Sequence, residues 1–446
     1  MEGEQEDVDK YNKYKSSGTE WIGDIPEHWL VVKLGIGFGR IGSGTTPSSG
    51  DNSYYQNGTI NWLQTGDLTN GEITRTSKKV TQKALDDYSS LKVFSVGALV
   101  VAMYGATIGK VGVLSIDACT NQACCVLSDP ILFKVKYTYY WFVASKDHIV
   151  SRGYGGGQPN ISQELIKSLV LPCPPVVEQT AISAYLDEKT TQIDYLIAKK
   201  QQLIELLKEE RTALINLAVT KGVDPDVKLK PSGIDWLGDI PAHWEVKKLK
   251  YLVSKVGSGV TPKGGANVYL NQGIPLLRSQ NIHNDGLKLD DVAFISEEVD
   301  EEMSNSRVQE GDVLLNITGA SIGRSTFIPE GFGSGNVNQH VCIIRPNPEQ
   351  VVSEYLQFFL ISDFGQTYVD SFQTGANREG LNFQQIKSFL IPTPTTEEQE
   401  LIVKITVGRL KIFDDTVLKV AKEIELLQEY RVALISEVVT GKVKVI

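Results

Sequence analysis

The sequence contains no long hydrophobic run, and it is poor in cysteine. No stretch approaches the roughly 18 consecutive apolar residues that a membrane-spanning helix requires. The five cysteines are odd in number and lack C-x-x-C spacing, which argues against a disulfide framework or a structural zinc site. They are Cys119, Cys124, Cys125, Cys173 and Cys342. The first ten residues are acidic and do not resemble a signal peptide, so we expect a cytoplasmic protein with no membrane partner.

Positive charge is also scarce. The chain has 44 Lys and Arg residues against 54 Asp and Glu residues, which gives a net charge of −10. Proteins that bind nucleic acids usually present a basic surface, so this balance counts against DNA as a partner. Residues 1–10 alone contribute −4, from five carboxylates against Lys10, so the distribution of charge matters more than its sum.

What the sequence does contain is a tandem repeat. The phrase GTEWIGDIPEHW (18–29) returns 215 residues later as GIDWLGDIPAHW (233–244). Further matches are GSGTTP (42–47) with GSGVTP (257–262), GATIGK (105–110) with GASIGR (319–324), CTNQACCVL (119–127) with NVNQHVCII (336–344), and IKSLVLPCP (166–174) with IKSFLIPTP (386–394). The offsets stay between 214 and 220, so the chain is one unit of about half its length used twice.

The amino-acid composition of each unit changes once along its length. Its first part has short runs of Val, Ile and aromatic residues broken by Gly, Asn, Ser and Pro, which predicts strands and turns with a few short helices such as 353–362. After PCPP in one copy and PTPTTEEQ in the other, Gly and Pro almost disappear, which predicts one long helix. Thr395 or Thr396 is a suitable N-cap for the second of these helices.

The two predicted helices share an apolar stripe. Its aligned positions are Ile193/Phe413, Ile197/Val417, Ile204/Ile424, Leu207/Leu427, Leu214/Leu434 and Ala218/Val438. The steps of 4, 7, 3, 7 and 4 residues fit a coiled-coil seam, interrupted at Lys200 with Val420 and at Arg211 with Arg431. A pseudo-twofold relation between the units predicts an antiparallel helix pair. The alternative is that each helix packs only on its own globular part.

Several stretches of the sequence match known enzyme motifs only in part. GFGRIG (37–42) has dinucleotide-binding spacing but no helical pattern after it, so we interpret it as a tight turn. GATIGKV (105–111) is one residue short of a P-loop, which favours a turn between strands. The sequence therefore offers no catalytic constellation, and we expect a non-enzymatic protein.

Two weaker catalytic candidates stay as alternatives. Asp226, Glu245 and Lys247 fit the pattern of a Mg²⁺-dependent nuclease, although Asp226 lies between the repeats and the first copy has Leu30 where Glu245 stands. His28 and His243 recur inside the Trp phrase, and we interpret them as structural rather than as acid–base catalysts.

Matched polar loops carry side chains suited to base recognition. LLRSQNI (276–282) aligns with WLQTGDL (62–68), and TGANREG (374–380) aligns with GYGGGQPN (153–160). Arg pairs with guanine and Asn or Gln with adenine, while Ser and Thr reach bases or phosphates. The scaffold phrases repeat closely whereas these loops differ, as expected if the two halves recognise different targets. For any single loop the alternative is an ordinary surface connection.

The candidate DNA-binding residues come from these loops and from the GSG-x-TP and GA-x-IG loops. They are Ser43, Thr45, Thr46, Gln64, Thr65, Lys110, Tyr154, Gln158, Ser258, Thr261, Lys263, Arg278, Ser279, Gln280, Arg324, Asn377 and Arg378.

The repeated SG-x-x-W-[IL]-GDIP-x-HW phrase, with G-x-G-x-TP, GA-x-IG and P-x-P before a long helix, resembles the specificity subunits of type I restriction–modification systems. The resemblance covers roughly residues 13–442. It implies an α/β (α+β) fold with two pseudo-repeated target recognition domains, separated by two long helices that form an antiparallel coiled coil. The expected boundaries are an acidic tail at 1–12, recognition domains at 13–172 and 233–392, long helices at 173–222 and 393–446, and a linker at 223–232.

The resemblance also implies a function. Each recognition domain is expected to recognise one half of a split target on double-stranded DNA, while the helices set the spacer and dock two modification (methyltransferase) subunits. Restriction (translocase/endonuclease) subunits are further expected partners. No cofactor is expected in this chain, because S-adenosylmethionine and ATP with Mg²⁺ belong to the partner subunits. The alternative is a tandem-repeat module that binds another polymer or a protein instead of DNA.

Overall fold

The computed structural model describes residues 10–153, 160–373 and 380–445. The chain divides into two compact units, the first made of residues 1–201 and 422–446 and the second of residues 202–421. Each unit thus combines one globular part with the beginning of one long helix and the end of the other.

The first unit has twelve strands and four short or medium α-helices among the described residues, followed by the first long helix. The strands are β1 (Tyr14–Ser16), β2 (Asp24–Pro26), β3 (Leu30–Lys33), β4 (Phe38–Ser43), β5 (Ile60–Leu63), β6 (Gly71–Ile73), β7 (Lys78–Val80), β8 (Leu99–Ala102), β9 (Val111–Leu114), β10 (Cys119–Thr120), β11 (Cys124–Pro130) and β12 (Val170–Cys173). The helices are α1 (Leu34–Gly37), α2 (Gln82–Asp87), α3 (Val135–Ser151), α4 (Gln163–Ser168) and the long α5 (Val176–Lys221).

Two sheets organise the first unit. One has the strand order β4-β11-β8-β9-β6 and is antiparallel except for the parallel β9–β6 pair. The other has the order β10-β5-β7, in which β10 and β5 are parallel. Alternate residues of β8 face different cores: Leu99 and Val101 join the core with α3, whereas Val100 and Ala102 join a second one. Burial on both faces explains why this strand is a continuous apolar run.

The second unit repeats this construction. Its strands are β13 (Leu229–Pro231), β14 (Asp239–Pro241), β15 (Glu245–Lys248), β16 (Val253–Ser258), β17 (Ile274–Leu277), β18 (Ile282–His283), β19 (Gly286–Leu287), β20 (Ala293–Ile295), β21 (Val313–Asn316), β22 (Ser325–Phe327), β23 (Asn336–Val337), β24 (Val341–Pro346) and β25 (Leu390–Thr393). Its helices are α6 (Glu297–Glu302), α7 (Ser353–Ile361), α8 (Asp363–Ser371), α9 (Phe383–Lys387) and the long α10 (Thr396–Val439).

The two larger sheets of the second unit have the orders β16-β24-β21-β22 and β20-β17-β23, and β17 and β23 are parallel. The helix predicted at 353–362 is confirmed as α7. Where the first unit has the single helix α3, the second has α7 and α8, because Ser362 ends one helix and caps the next by accepting a hydrogen bond from Gly365 N at 3.2 Å.

The twice-used Trp phrase binds the first turn of each long helix. In the first unit the Glu178 carboxylate accepts a hydrogen bond from Trp29 Nε1 at 2.8 Å and lies 2.6 Å from His28 Nε2. Trp29 is fully buried, so its indole N–H requires an acceptor. Repetition of the phrase is therefore explained by its contact with the start of the helix, and His28 is structural, as predicted.

The second unit has the same arrangement. Glu398 accepts from Trp244 Nε1 at 2.9 Å and lies 2.9 Å from His243 Nε2. The next residue in each helix, Gln179 or Gln399, is fully buried and bonds to backbone groups of its own globular part. The adjacent Glu and Gln thus fix the beginning of each long helix. Thr395 precedes α10 and its hydroxyl accepts from Glu398 N at 3.4 Å, which confirms Thr395 as the cap.

Parts of the two long helices run antiparallel within the first unit. Asp194 of α5 pairs with Arg431 of α10 at 2.9 Å, and Lys200 pairs with Glu423. As α5 advances from Asp194 to Lys200, α10 retreats from Arg431 to Glu423, which defines an antiparallel pair. The predicted antiparallel coiled coil is confirmed, and its seam residues are buried or half-buried.

The second unit shows the same helix pairing. Arg211 of α5 donates from Nε to Asp414 of α10 at 3.1 Å. The hydroxyl of Tyr355 lies 2.9 Å from the Pro392 carbonyl of β25 and 3.4 Å from the Val219 carbonyl near the end of α5. The end of α5 is therefore fixed to the globular part of the second unit.

Candidate nucleic-acid interface

Strands β5 and β10 end side by side in the first unit. Trp62 of β5 pairs in parallel with Cys119 of β10, and Asn121 N donates to the Leu63 carbonyl at 3.0 Å. Because the carboxyl ends of parallel strands meet at one edge, the polar residues that follow the two strands lie close together. These residues are Gln64 and Thr65 after β5, and Asn121 and Gln122 after β10.

The GSGTTP loop joins the same edge. Gln163 Nε2 donates to Ser43 Oγ at 2.5 Å, and Thr46 Oγ1 donates to Gln122 Oε1 at 2.6 Å. We call the surface formed by Ser43–Thr46, Gln64–Thr65, Asn121–Gln122 and Gln163 the first polar edge. Five of the predicted residues lie in it: Ser43, Thr45, Thr46, Gln64 and Thr65.

The second glycine of each GSG-x-TP loop is required by a close approach of two backbones. A Cβ atom at Gly44 would lie 1.8 Å from the Thr120 carbonyl oxygen, and one at Gly259 would lie 1.6 Å from the Val337 oxygen. The first glycine of the motif, Gly42, has no heavy atom within 4 Å of its Cβ position. The repeated loop is thus held against β10 or β23 because Gly44 and Gly259 have no side chain.

A matching second polar edge occurs in the second unit, formed by Ser258–Thr261, Arg278–Gln280, Thr318 and Asn338–His340. Asn338 N donates to the Leu277 carbonyl at 3.1 Å, as Asn121 does to Leu63 in the first unit. Thr318 Oγ1 lies 2.6 Å from His340 Nδ1, and the Gln339 amide nitrogen lies 2.9 Å from the other ring nitrogen of His340. Five residues that the sequence predicts to bind DNA lie in this edge: Ser258, Thr261, Arg278, Ser279 and Gln280.

Arg278 is held by groups of its own unit. Its Nη2 donates to the Asp291 carbonyl at 2.9 Å, and its guanidinium lies 5.6 Å from the ring centre of Tyr269. Gln280 Nε2 donates to the Asp291 carboxylate at 2.5 Å. Base recognition by Arg278 or Gln280 would therefore require exchange of these internal hydrogen bonds for contacts to DNA.

The other predicted residues lie in nearby connections or outside the described ranges. Lys110 ends the connection from β8 to β9, and Arg324 ends the matching connection from β21 to β22. Lys263 follows the GSGVTP loop, where its ammonium group lies 3.3 Å from Glu302. Four predicted residues lie outside the described residues: Tyr154, Gln158, Asn377 and Arg378.

Sequence reasoning missed the residues at the middle of both edges. Gln122 and Asn121 in one copy correspond to Gln339 and Asn338 in the other, and they stand beside the buried strands β11 and β24. The signal was the Asn-Gln dipeptide shared by CTNQACCVL and NVNQHVCII, a polar break within apolar strands. Ala123 in the first copy corresponds to His340, so the edges share a frame but differ in side chains.

The incomplete enzyme motifs of the sequence lie in ordinary elements of the fold. GATIGKV lies between β8 and β9, as predicted, but GFGRIG is the end of α1 and most of strand β4 instead of a tight turn. This Gly-rich segment forms a strand because its backbone pairs in antiparallel fashion with β11. Glu245 and Lys247 form an ion pair of 3.1 Å on β15. Across the described residues no group of three or more His, Cys, Asp or Glu side chains could hold a metal ion.

The cysteines are free thiols. Burial raises the pKa of Cys119 and of Cys342 to about 12, so these side chains behave as apolar core residues. Within the part of the chain that the structure describes, no helix is both long and apolar enough to cross a membrane.

Two similar polar edges on a duplicated scaffold, combined with antiparallel long helices, define a tandem recognition protein. The family described as type I restriction modification DNA specificity domain matches residues 26–206 and 241–428, one stretch in each repeat. The chain belongs to this family, which confirms the resemblance inferred from the motifs.

Individual relatives agree with this assignment. The chain is 23% identical over 424 residues to the type I restriction enzyme MjaVIII specificity subunit of Methanocaldococcus jannaschii, covering 94% of both chains. It is 29% identical to the EcoBI specificity subunit of Escherichia coli over 267 residues, which is 58% of this chain and 55% of that subunit.

Solved structures show the same fold. A chain from a study titled "Structural basis underlying complex assembly and conformational transition of the type I R-M system" gives a TM-score of 0.70 at 13% identity, covering 93% of this chain and 98% of that one. The HsdS subunit of Thermoanaerobacter tengcongensis gives 0.54 at 15% identity, covering 94% and 98%. The predicted α/β fold with two recognition domains and paired helices is confirmed.

Proposed function

We propose that this chain gives a type I restriction–modification complex its DNA sequence specificity, with each globular part recognising one half of a bipartite target. The observation that carries the proposal is the pair of polar edges. Both edges contain an equivalent parallel strand pair and an Asn-Gln dipeptide. Their side chains nevertheless differ, since Gln64 in the first edge is replaced by Arg278 in the second, and Ala123 by His340. A duplicated frame with different amide, hydroxyl and guanidinium groups suits recognition of two different short sequences.

The long helices are proposed to set the spacer between the half-sites and to dock two modification subunits. Support comes from apolar side chains on the outer face of the helices. Leu206 and Leu426 occupy aligned positions and are about half exposed, and Ile412 and Leu418 are exposed by 67% and 69%. Exposed apolar residues outside the seam are typical of helices that bind further protein.

The chemistry is proposed to reside in the partners. Modification subunits would bring S-adenosylmethionine, and restriction subunits would bring ATP with Mg²⁺, while this chain is a non-catalytic subunit. Double-stranded DNA is its ligand within that complex. Methyl transfer or DNA cleavage by the purified chain alone, with S-adenosylmethionine or Mg²⁺ supplied, would contradict the non-catalytic role.

A direct binding measurement tests DNA as the ligand. The full chain should bind a labelled DNA duplex with an affinity that falls steeply as salt rises, because phosphate contacts release counterions. A flat salt dependence, or binding to a polysaccharide or a protein in preference to duplex DNA, would support the alternative of a non-DNA tandem-repeat module.

A further inference from the structure

A polar groove lies beside the first polar edge, and nothing in the assignment above gives it a role. Its volume is about 460 Å³, which lies within the range of small-ligand sites. Six of its lining residues matter here: Thr46, Tyr55, Trp62, Gln64, Lys78 and Lys79. Thr46 and Gln64 belong to the first polar edge, so the groove is continuous with the surface proposed to contact DNA.

The floor of the groove is rigid. Tyr55 and Trp62 pack with ring centres 5.8 Å apart, and both polar groups are fixed to the GSGTTP loop. Tyr55 donates to the Pro47 carbonyl at 2.5 Å, and Trp62 Nε1 donates to the Thr45 carbonyl at 3.2 Å. Aromatic side chains held in this way provide a fixed floor for a ligand, since little side-chain entropy is lost on binding.

The wall of the groove carries unpaired positive charge. Lys78 and Lys79 are exposed residues of strand β7, and Lys78 pairs in the sheet with Trp62. None of the ion pairs among the described residues involves Lys78 or Lys79, whereas Lys83, a few residues further along the chain, pairs with Asp51 at 4.0 Å. In a chain whose net charge is −10, two lysines outside the ion pairs of the described residues, both lining this groove on an edge strand, favour an anion there.

The second unit has no lysines at the matching positions of its described strands. On β20, Ala293 and Phe294 occupy the positions that Lys78 and Lys79 occupy on β7. The register shows this correspondence, since Leu276 pairs with Ala293 and its counterpart Trp62 pairs with Lys78. Arg278, the counterpart of Gln64, lies 5.6 Å from the ring centre of Tyr269 and donates to the Asp291 carbonyl, so its positive charge is held by groups of its own unit.

We infer that the groove of the first unit binds the phosphodiester backbone of the DNA through Lys78 and Lys79, and that the second unit lacks this contact. The inference rests on the proposed function and deepens it. Lys78 and Lys79 supply the charge for adjacent phosphates, and Gln64, which also lines the groove, is left to contact a base. The two half-sites would then differ in how much of their binding depends on salt.

The test compares salt dependence in the full chain. The double variant Lys78→Gln/Lys79→Gln should bind a fluorescein-labelled duplex of mixed sequence with a log K against log[salt] slope that is shallower by about 1.8, or 0.9 for each lost phosphate contact. Between about 50 and 200 mM salt, the parent should lose roughly tenfold more affinity than the variant. Lys78→Arg/Lys79→Arg should keep the parent slope.

A matched control separates the groove from total charge. Lys15→Gln/Lys33→Gln removes two positive charges from exposed lysines of β1 and β3 in the same unit and should leave the slope close to that of the parent. Both lysines of the groove are exposed and unpaired, so the Lys78→Gln/Lys79→Gln variant should keep the parent's unfolding temperature.

Three results would count against the inference or its basis. An unchanged slope in Lys78→Gln/Lys79→Gln would overturn it, and the lysines would then only protect an edge strand from pairing. An equal fall in slope in the control would overturn it too, because total charge would explain the effect. Failure of the parent to bind duplex DNA with any salt dependence would instead refute the proposed function itself.

Discussion

Arg431 donates two hydrogen bonds to the carboxylate of Asp194, from Nε at 2.9 Å and from Nη2 at 3.1 Å. The repeat contains an equivalent pair, Arg211 with Asp414, whose two residues each differ by 220 in number from Arg431 and Asp194. The Arg211 Nε donates to Asp414 at 3.1 Å. Both arginines stand where the apolar stripe of the long helices is interrupted. The interruptions are therefore ion pairs between the helices, and such pairs favour one register over its alternatives.

Loss of one of these ion pairs should have a small but measurable effect. We expect Asp194→Ala to lower the free energy of unfolding by about 0.5–1 kcal/mol, because the pair is partly exposed to solvent. The midpoint of thermal unfolding would fall by about 1–4 °C. The control is Asp415→Ala, an exposed acid on α10 outside the seam. If the charge-swapped pair Asp194→Arg with Arg431→Asp is no more stable than either single variant, the two residues do not act as a pair.

The anchor at the start of α5 should matter more. Glu178→Ala would leave the indole N–H of the fully buried Trp29 without an acceptor, and Tyr11 and His28 would also lose a partner. We expect a loss of about 2–3 kcal/mol in the free energy of unfolding.

Glu188, an exposed residue three turns further along the same helix, is the control, and Glu188→Ala should change the free energy by less than about 0.5 kcal/mol. Equal destabilisation by the two substitutions would show that the bond to Trp29 is not what fixes the helix.

The two glycines of GSGTTP should tolerate substitution very differently. Gly44→Ala places a methyl group 1.8 Å from the Thr120 carbonyl, so the loop must move away from β10. Gly42→Ala meets nothing within 4 Å. We expect Gly44→Ala to weaken duplex binding severalfold and Gly42→Ala to leave it near the parent level. Similar binding by both variants would mean that the position of this loop does not matter for DNA.

Arg278 should affect one half-site alone. Arg278→Ala, and likewise Arg378→Ala outside the described residues, should relax recognition at one position of one half and cost about 1–3 kcal/mol there. The measurement is competition binding with duplexes that differ at single positions. Equal weakening on every sequence would identify these arginines as phosphate contacts and refute base recognition.

The repeat, the two long helices and their seam were predictable from the sequence because each depends on local periodicity or on residues at a constant offset. The structural role of His28 also followed from its place in a repeated phrase. The polar edges were only half predictable, since Gln122 reaches Thr46 through the parallel pairing of Trp62 with Cys119, a contact between segments far apart in the chain.

The charged groove illustrates the same limit. Lys78 and Lys79 carry no motif, and the second copy has Ala and Phe in their places, so repetition could not point to them. Likewise GFGRIG resembled a turn in composition, whereas pairing with β11 makes it a strand. Strand pairing between distant segments determines both the position of these lysines and the conformation of GFGRIG. The periodicity of the sequence contains no information on that pairing.

The two globular parts are proposed to recognise separate halves of one DNA target. The most direct test is a map of methylated bases in DNA from cells that carry this chain with its modification partners, compared with a map for Arg278→Ala. The account predicts one bipartite motif, two short specific blocks around a non-specific spacer, in which only one block changes in the variant. A continuous motif, or a change in both blocks, would contradict it.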